Sequence, residues 1–136
     1  MDYGYYDPVR AFSTALMLKD WTDEQKEQDI VKKYKSTPGE IYSKLSNADW
    51  MIYSAIELAK LIHKSAHSMI NIRVRLRYGI KEELLDLVRL EQIGRVRARL
   101  LFMNGIRKVS DIRENRGRVE ALLGKEVSKK VFDQLS

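Results

Sequence analysis

The sequence predicts an all-α protein, a helical bundle organised around one long helix and followed by a set of shorter helices. Three observations predict it. Proline-led helix starts stand at Asp7-Pro8 and Thr37-Pro38, and apolar residues after the second recur at spacings of 4, 3, 4, 3, 4 and 3. The 136 residues also hold only two prolines and seven glycines, so few positions interrupt a helix. Apolar residues at 44% and charged residues at 32% suit a folded chain near the usual size of one domain or two small ones.

Asp7 reads as an N-cap and Pro8 as the first residue of a helix running through Phe12, Leu16 and Leu18 toward Trp21. Thr22 and Gln25 have capping-box spacing, which predicts a second helix ending near Tyr34. Thr37-Pro38-Gly39-Glu40 supplies a cap hydroxyl, a proline at the first position and a carboxylate three residues after the cap. The long helix that starts there aligns Ile41, Leu45, Ala48, Ile52, Ala55, Ala59 and Ile62, the expected core face along its whole length.

Residues 70–78 read two ways, because Ile70, Ile72, Val74, Leu76 and Tyr78 alternate with Asn71, Arg73, Arg75 and Arg77. No partner strand is legible and a lone strand leaves its backbone groups unpaired, so a helix is expected, with strand pairing between two chains as the alternative. Gly79 then breaks the chain. Further on, a helix is expected from Lys81 to about Arg89, a tight turn at Gln92-Ile93-Gly94, a helix from Arg95 to Met103 and a stop at Asn104-Gly105. Ser110 can cap another short helix, and a last one follows Gly124. A weak repeat aligns Ile93-Gly94, Ala98 and Leu101-Phe102 with Leu123-Gly124, Ser128 and Val131-Phe132, which predicts two helical hairpins. Two domains are therefore expected, a helical bundle over 1–78 and a second domain over 79–136.

The charge is uneven. Residues 1–70 carry a net −1 and residues 71–136 a net +7, the surplus being mostly arginine, whose planar fork suits phosphate oxygens. There is no cysteine, hence no disulfide framework, thiolate metal site or cysteine nucleophile. No apolar run reaches the roughly 18 residues of a membrane span, and Met1-Asp2-Tyr3-Gly4 does not start a signal peptide, so a cytoplasmic protein is expected.

Catalytic signatures are sparse. No phosphate-cradling Gly-x-x-x-x-Gly-Lys-Ser/Thr loop, no Gly-x-Gly-x-x-Gly and no Gly-x-Ser-x-Gly is present. His63 and His67, four apart on an expected helix, lack the glutamate of a zinc protease, since Lys64 follows the first. Glu82 and Glu83 suit the first turn of a helix, and Asp111, with no Gly-Pro approach before it, reads as a helix cap. No catalytic residue and no metal ligand is assigned.

Residues 87–101 have the layout of a helix-hairpin-helix. Such a corner needs a residue without Cβ where backbone N–H groups at the next helix meet a phosphate, and Gly94 supplies it. Ala98 one turn on lets helices approach, and Arg95, Arg97 and Arg99 gather positive charge at the same end. Contacts to phosphate carry no base code, so binding would be indifferent to sequence. Gln92 stands where such hairpins often have another glycine. The repeat extends the reading to Gly124, Lys125 and Lys129; the competing reading is a plain helical hairpin.

Trp50 lies 900° from Ile41, equivalent to 180°, opposite the apolar stripe and beside Ser43, Ser54, Glu57, Leu61 and Lys64. An indole there can stack an unpaired base, or it can pack against another helix of this chain or of a further domain.

Ala15-Leu16-Met17-Leu18-Lys19-Asp20-Trp21, Pro38-Gly39-Glu40 leading to Ala48-Asp49-Trp50, Lys81-Glu82-Glu83-Leu84-Leu85, Ile93-Gly94-Arg95-Val96-Arg97-Ala98-Arg99 and Asn104-Gly105-Ile106 occur in that order. In these residues the chain resembles the C-terminal region of the archaeal Ski-two-like superfamily II DNA repair helicases, of the Hel-three-zero-eight type. The resemblance implies a long "ratchet" helix from Pro38 along the translocating strand, followed by a helix-hairpin-helix domain. Trp50 would stack on a base of single-stranded or forked DNA, and Arg95, Arg97 and Arg99 would grip the unwound tail. The motor domains, with ATP and Mg, would lie upstream and be partners of this region. The family pattern places a basic residue at Ser43; its neighbour Lys44, turned by 100°, is counted with Trp50 among the expected DNA-binding residues. The alternative function is a protein-interaction module that docks an acidic partner or the motor domains.

Overall fold

The computed structural model describes residues 7–136; the reading of Met1-Asp2-Tyr3-Gly4 lies outside them. The described residues form eight α-helices and two short 3-10 turns, with no strand among them. Contacts divide the chain into two units, residues 1–79 and residues 80–136.

In the first unit, capping chemistry sets where helices begin. The Asp7 carboxylate accepts from the Val9 and Arg10 N–H groups at 3.0 and 3.3 Å, and α1 runs over Pro8–Thr22. Thr37 Oγ1 accepts from the Glu40 N–H while the Glu40 carboxylate accepts from the Thr37 N–H, both at 3.2 Å, a capping box that opens α3, Pro38–Leu61. The box expected at Thr22 does not form. Thr22 is the last residue of α1 and its hydroxyl donates back to the Lys19 carbonyl at 3.0 Å. The chain instead turns at Glu24, φ 66°, and α2, Glu27–Tyr34, starts without a side-chain cap. Residues 70–78 are helical and belong to α4, His67–Tyr78, which Gly79 ends in the left-handed conformation at φ 65°.

Met17, Trp21, Ile30 and Ile41 form the core where α1, α2 and α3 meet, with Val31, Tyr34 and Leu45 packed around it. The long stripe is a core face only in part. Ile41 and Ala59 are buried, the positions between them are half-buried, and Ile62 lies past the helix end, 58% exposed. Ile56, outside the stripe, is buried instead, because α4 covers that side of α3.

In the second unit, the helix expected over 81–89 is replaced by 3-10 turns at Glu82–Leu84 and Leu87–Arg89. Three residues per turn place Leu84, Leu87 and Leu90 on one side, and all three are buried. Then come α5 (Arg95–Met103), α6 (Val109–Glu114), α7 (Arg116–Leu123) and α8 (Lys125–Asp133). Ser110 sits inside the first turn of α6 and does not cap it. The Asp111 carboxylate does so, accepting from the Arg107 and Lys108 N–H groups at 2.9 and 3.1 Å. Helix α7 has no start signal in the sequence; it follows α6 through Asn115, whose amide donates to the Asp111 carbonyl at 2.8 Å.

The internal repeat is structural. Gly94 and Gly124 immediately precede α5 and α8, and one turn in, Ala98 and Ser128 are fully buried, as are Leu101 and Val131 after them. Small side chains occupy both positions, and the Ser128 hydroxyl is satisfied by the Gly124 carbonyl.

Candidate nucleic-acid interface

Trp50 projects from α3 with 67% of its surface exposed. Its ring meets the edge of Tyr53 at 6.3 Å between centroids and 89° between planes, and no ring of another helix is recorded against it among the described residues. Tyr53 is held in turn from α4. The Arg73 guanidinium lies over its ring at 5.0 Å and grips Asp49 with two hydrogen bonds of 2.7 and 3.1 Å. That hydrogen bond holds the Asp49 carboxyl below its ordinary value. A salt-bridged clamp thus props an exposed aromatic pair on α3.

Lys44 is half-buried on another side of α3. Six residues before Trp50, it stands about 120° around the helix, and Ser43 occupies the aligned, exposed position. Ser54, one turn beyond Trp50, donates its hydroxyl to the Trp50 carbonyl at 3.0 Å.

In the second unit Gly94 is extended, φ −102° and ψ −158°, and a Cβ there would meet nothing within 4 Å. The approach to the first turn of α5 is therefore open. The left-handed residue of the turn is Gln92, φ 74°, at the position where a second glycine is expected. The three arginines have different surroundings. Arg97 is exposed and donates from Nη1 to the Gln92 carbonyl at 2.9 Å, bracing the turn. Arg99 pairs with Glu83 at 2.7 Å and lies over Phe102 at 5.0 Å, leaving 28% of its side chain exposed. Glu83, in the first turn of the 3-10 segment Glu82–Leu84 as expected, is thus also an ion-pair partner. Arg95 is half-buried at the start of α5. Arg107 covers Phe102 at 5.0 Å and Arg116 covers Phe132 at 4.9 Å, so both hairpins carry an arginine on the equivalent phenylalanine. At the second hairpin Gly124 has φ 84° with open space before it, and Lys125 and Lys129 are exposed on α8.

The histidine pair is not a helix-face pair. Helix α3 ends at Leu61, His63 turns with φ 56°, and His67 opens α4 with its ring against the Asn71 amide at 3.4 Å. No group of three or more His, Cys, Asp or Glu side chains able to hold a metal occurs among the described residues. None of the described helices is long and apolar enough to cross a membrane.

Sequence reasoning did not bring Tyr53, Asp49 and Arg73 to the Trp50 platform. The signals were present: Trp50 and Tyr53 are three apart on one helix, and Arg73 and Arg77 four apart on the next.

Two all-α units make up the described residues, the first carrying an exposed tryptophan and the second two glycine-led helix starts rich in basic residues. Residues 1–79 match the family described as archaeal helicase, domain 4, and the chain belongs to that family. Nearly all of it is homologous to a region of the archaeal Hel308 helicases. It is 42% identical over 129 residues to the ATP-dependent DNA helicase Hel308 of Methanocaldococcus jannaschii, covering 95% of this chain and 11% of the relative. Hel308 of Methanococcus vannielii is 38% identical over 137 residues, covering 98% and 18%, and that of Pyrococcus horikoshii 43% over 112 residues, covering 79% and 16%. The chain thus spans less than a fifth of the length of these relatives.

Proposed function

We propose that this chain is the DNA-gripping region of an ATP-dependent DNA helicase acting in repair or at stalled forks, with a cytoplasmic location. Unit 1 would carry the ratchet helix, α3, and unit 2 a helix-hairpin-helix domain. The upstream motor domains would supply ATP hydrolysis. Trp50 would stack on a base of the single strand, while the open corner at Gly94, with Arg95 and Arg97, and its repeat at Gly124, Lys125 and Lys129 would take phosphates. Arg99, whose charge is largely offset by Glu83, would contribute least of the three.

The observation that carries this reading is the exposed indole braced from α4, because with Tyr53 it forms a contiguous exposed aromatic patch, the kind of surface that marks an interaction site. The test is anisotropy of a labelled forked DNA across a salt series. The expected result is an affinity that falls steeply with salt, about 0.7 to 0.9 in log slope for each phosphate neutralised, and that drops when Arg95, Arg97 and Arg99 are all replaced by Ala. Binding that ignores salt, or survives that triple change, rejects it.

A second reading, docking to an acidic partner or the motor domains, draws support from Val96 and Met103, which stand 78% and 74% exposed on one face of α5. Competition between DNA and that partner for the same arginines separates the two.

A further inference from the structure

A groove of about 280 Å³ runs between α3 and α4 beside the Trp50 platform, and Tyr53, Ile56, Lys60, Arg73, Val74 and Arg77 line it. Its charges are unequal in their commitments. Lys60 is paired with Glu57 at 3.2 Å, and Arg73 is fixed on Asp49. Arg77 lies one turn beyond Arg73 on the same helix, is exposed, and forms no hydrogen bond or ion pair with the described residues. Glu57 pairs with Lys60 and Asp49 with Arg73; Arg77, which also acts on Asp49 through its charge, leaves these five groups with a net positive charge. Ile56 and Val74 make part of its wall apolar, which weakens solvent screening of that charge.

We propose that this groove is a phosphate subsite for single-stranded nucleic acid, with Arg77 as the phosphate ligand. The inference rests on the reading that Trp50 stacks a base. Tyr53 touches both features: its ring meets the indole on one side and lies under Arg73 at the groove wall on the other. The groove therefore begins where the stacking platform ends, and a strand leaving the indole enters it with a phosphate facing Arg77. Arg73, locked on Asp49 and Tyr53, is a positioning residue that sets the platform and the groove wall.

The experiment measures binding of a labelled oligothymidine to the whole chain across a salt series for the wild type, Arg77→Ala, Arg77→Lys and Trp50→Ala. Arg77→Ala is expected to weaken binding roughly two- to fivefold, the scale of an exposed charge pair, and to lower the log slope by about 0.7, one phosphate on a single strand. Arg77→Lys keeps the slope. Trp50→Ala weakens binding and leaves the slope unchanged. If Arg77→Ala changes neither affinity nor slope while Trp50→Ala still weakens binding, the subsite is wrong and the stacking reading stands. If neither variant changes binding, both fall. Tighter binding of poly-glutamate than of oligothymidine, lost in Arg77→Ala, assigns the groove to an acidic protein and overturns the proposal.

Discussion

The Trp21 indole Nε1 donates to the Leu76 carbonyl at 2.8 Å, tying the end of α1 to the last turn of α4 across 55 residues of sequence. The bond satisfies a helix-end carbonyl that has no partner within its own helix. It also brings the ring against Gly79, where an added Cβ would lie 2.7 Å from the indole.

Gly79→Ala therefore meets two penalties, a rigid ring in the way and a left-handed backbone at φ 65°. A loss of about 2 to 4 kcal/mol is expected from strain and overpacking together. Urea or thermal unfolding of the two proteins measures it; a change within about 0.5 kcal/mol, the range of an ordinary surface substitution, contradicts the assignment.

The hairpin separates folding from binding. Gln92 carries the strained φ of 74°, so Gln92→Gly should stabilise the chain by up to about 1 kcal/mol after the added freedom of the unfolded chain is counted. Gly94→Ala should leave the melting temperature nearly unchanged, since its Cβ meets open space, yet weaken forked-DNA binding by blocking the close approach of a phosphate. Melting curves and anisotropy on the same samples check both outcomes.

Asp20 gives the first unit an acid limit. Lys33 Nζ and the Tyr34 hydroxyl donate to its carboxylate at 2.7 and 2.8 Å, and these bonds, the lysine's first, hold it below its ordinary value of 3.8. A lowered folded value means the stabilisation is complete above the unfolded value and disappears as pH falls through the folded one. Asp20→Asn should therefore melt lower than the wild type at neutral pH, with the gap closing below about pH 4. A gap that stays constant in melts from neutral to acid pH rules out this origin.

Trp50→Ala removes a ring whose one recorded ring partner is Tyr53. Stability should change by no more than about 0.5 kcal/mol, while single-strand affinity falls by about 1 to 3 kcal/mol and duplex affinity by less. Equal loss on both substrates together with a lower melting temperature points to packing instead.

Much of the helical layout was legible because its causes are local. The starts at Asp7-Pro8 and Thr37-Glu40, the stop at Gly79 and the paired glycines at 94 and 124 each depend on residues within one turn of one another. The failures came where another group, near or far in sequence, took the atoms or the position that the local signal claimed. Thr22 has cap chemistry, but α1 extends through it and takes its hydroxyl. The 81–89 segment has helical composition, but burial of three leucines at three-residue spacing favours the tighter turn.

By itself the sequence determined that the chain is helical, that Trp50 opposes the apolar face, and that basic side chains gather around glycine-led helix starts. Those properties follow from periodicity and from backbone chemistry between near neighbours. Tertiary structure alone decided which charges are spent and which remain available. Arg73 finds Asp49 across 24 residues because α3 and α4 pack together, and that pairing leaves Arg77, one turn away, with no hydrogen bond or ion pair among the described residues. An ion pair between helices depends on how they pack, and no spacing along one chain specifies that.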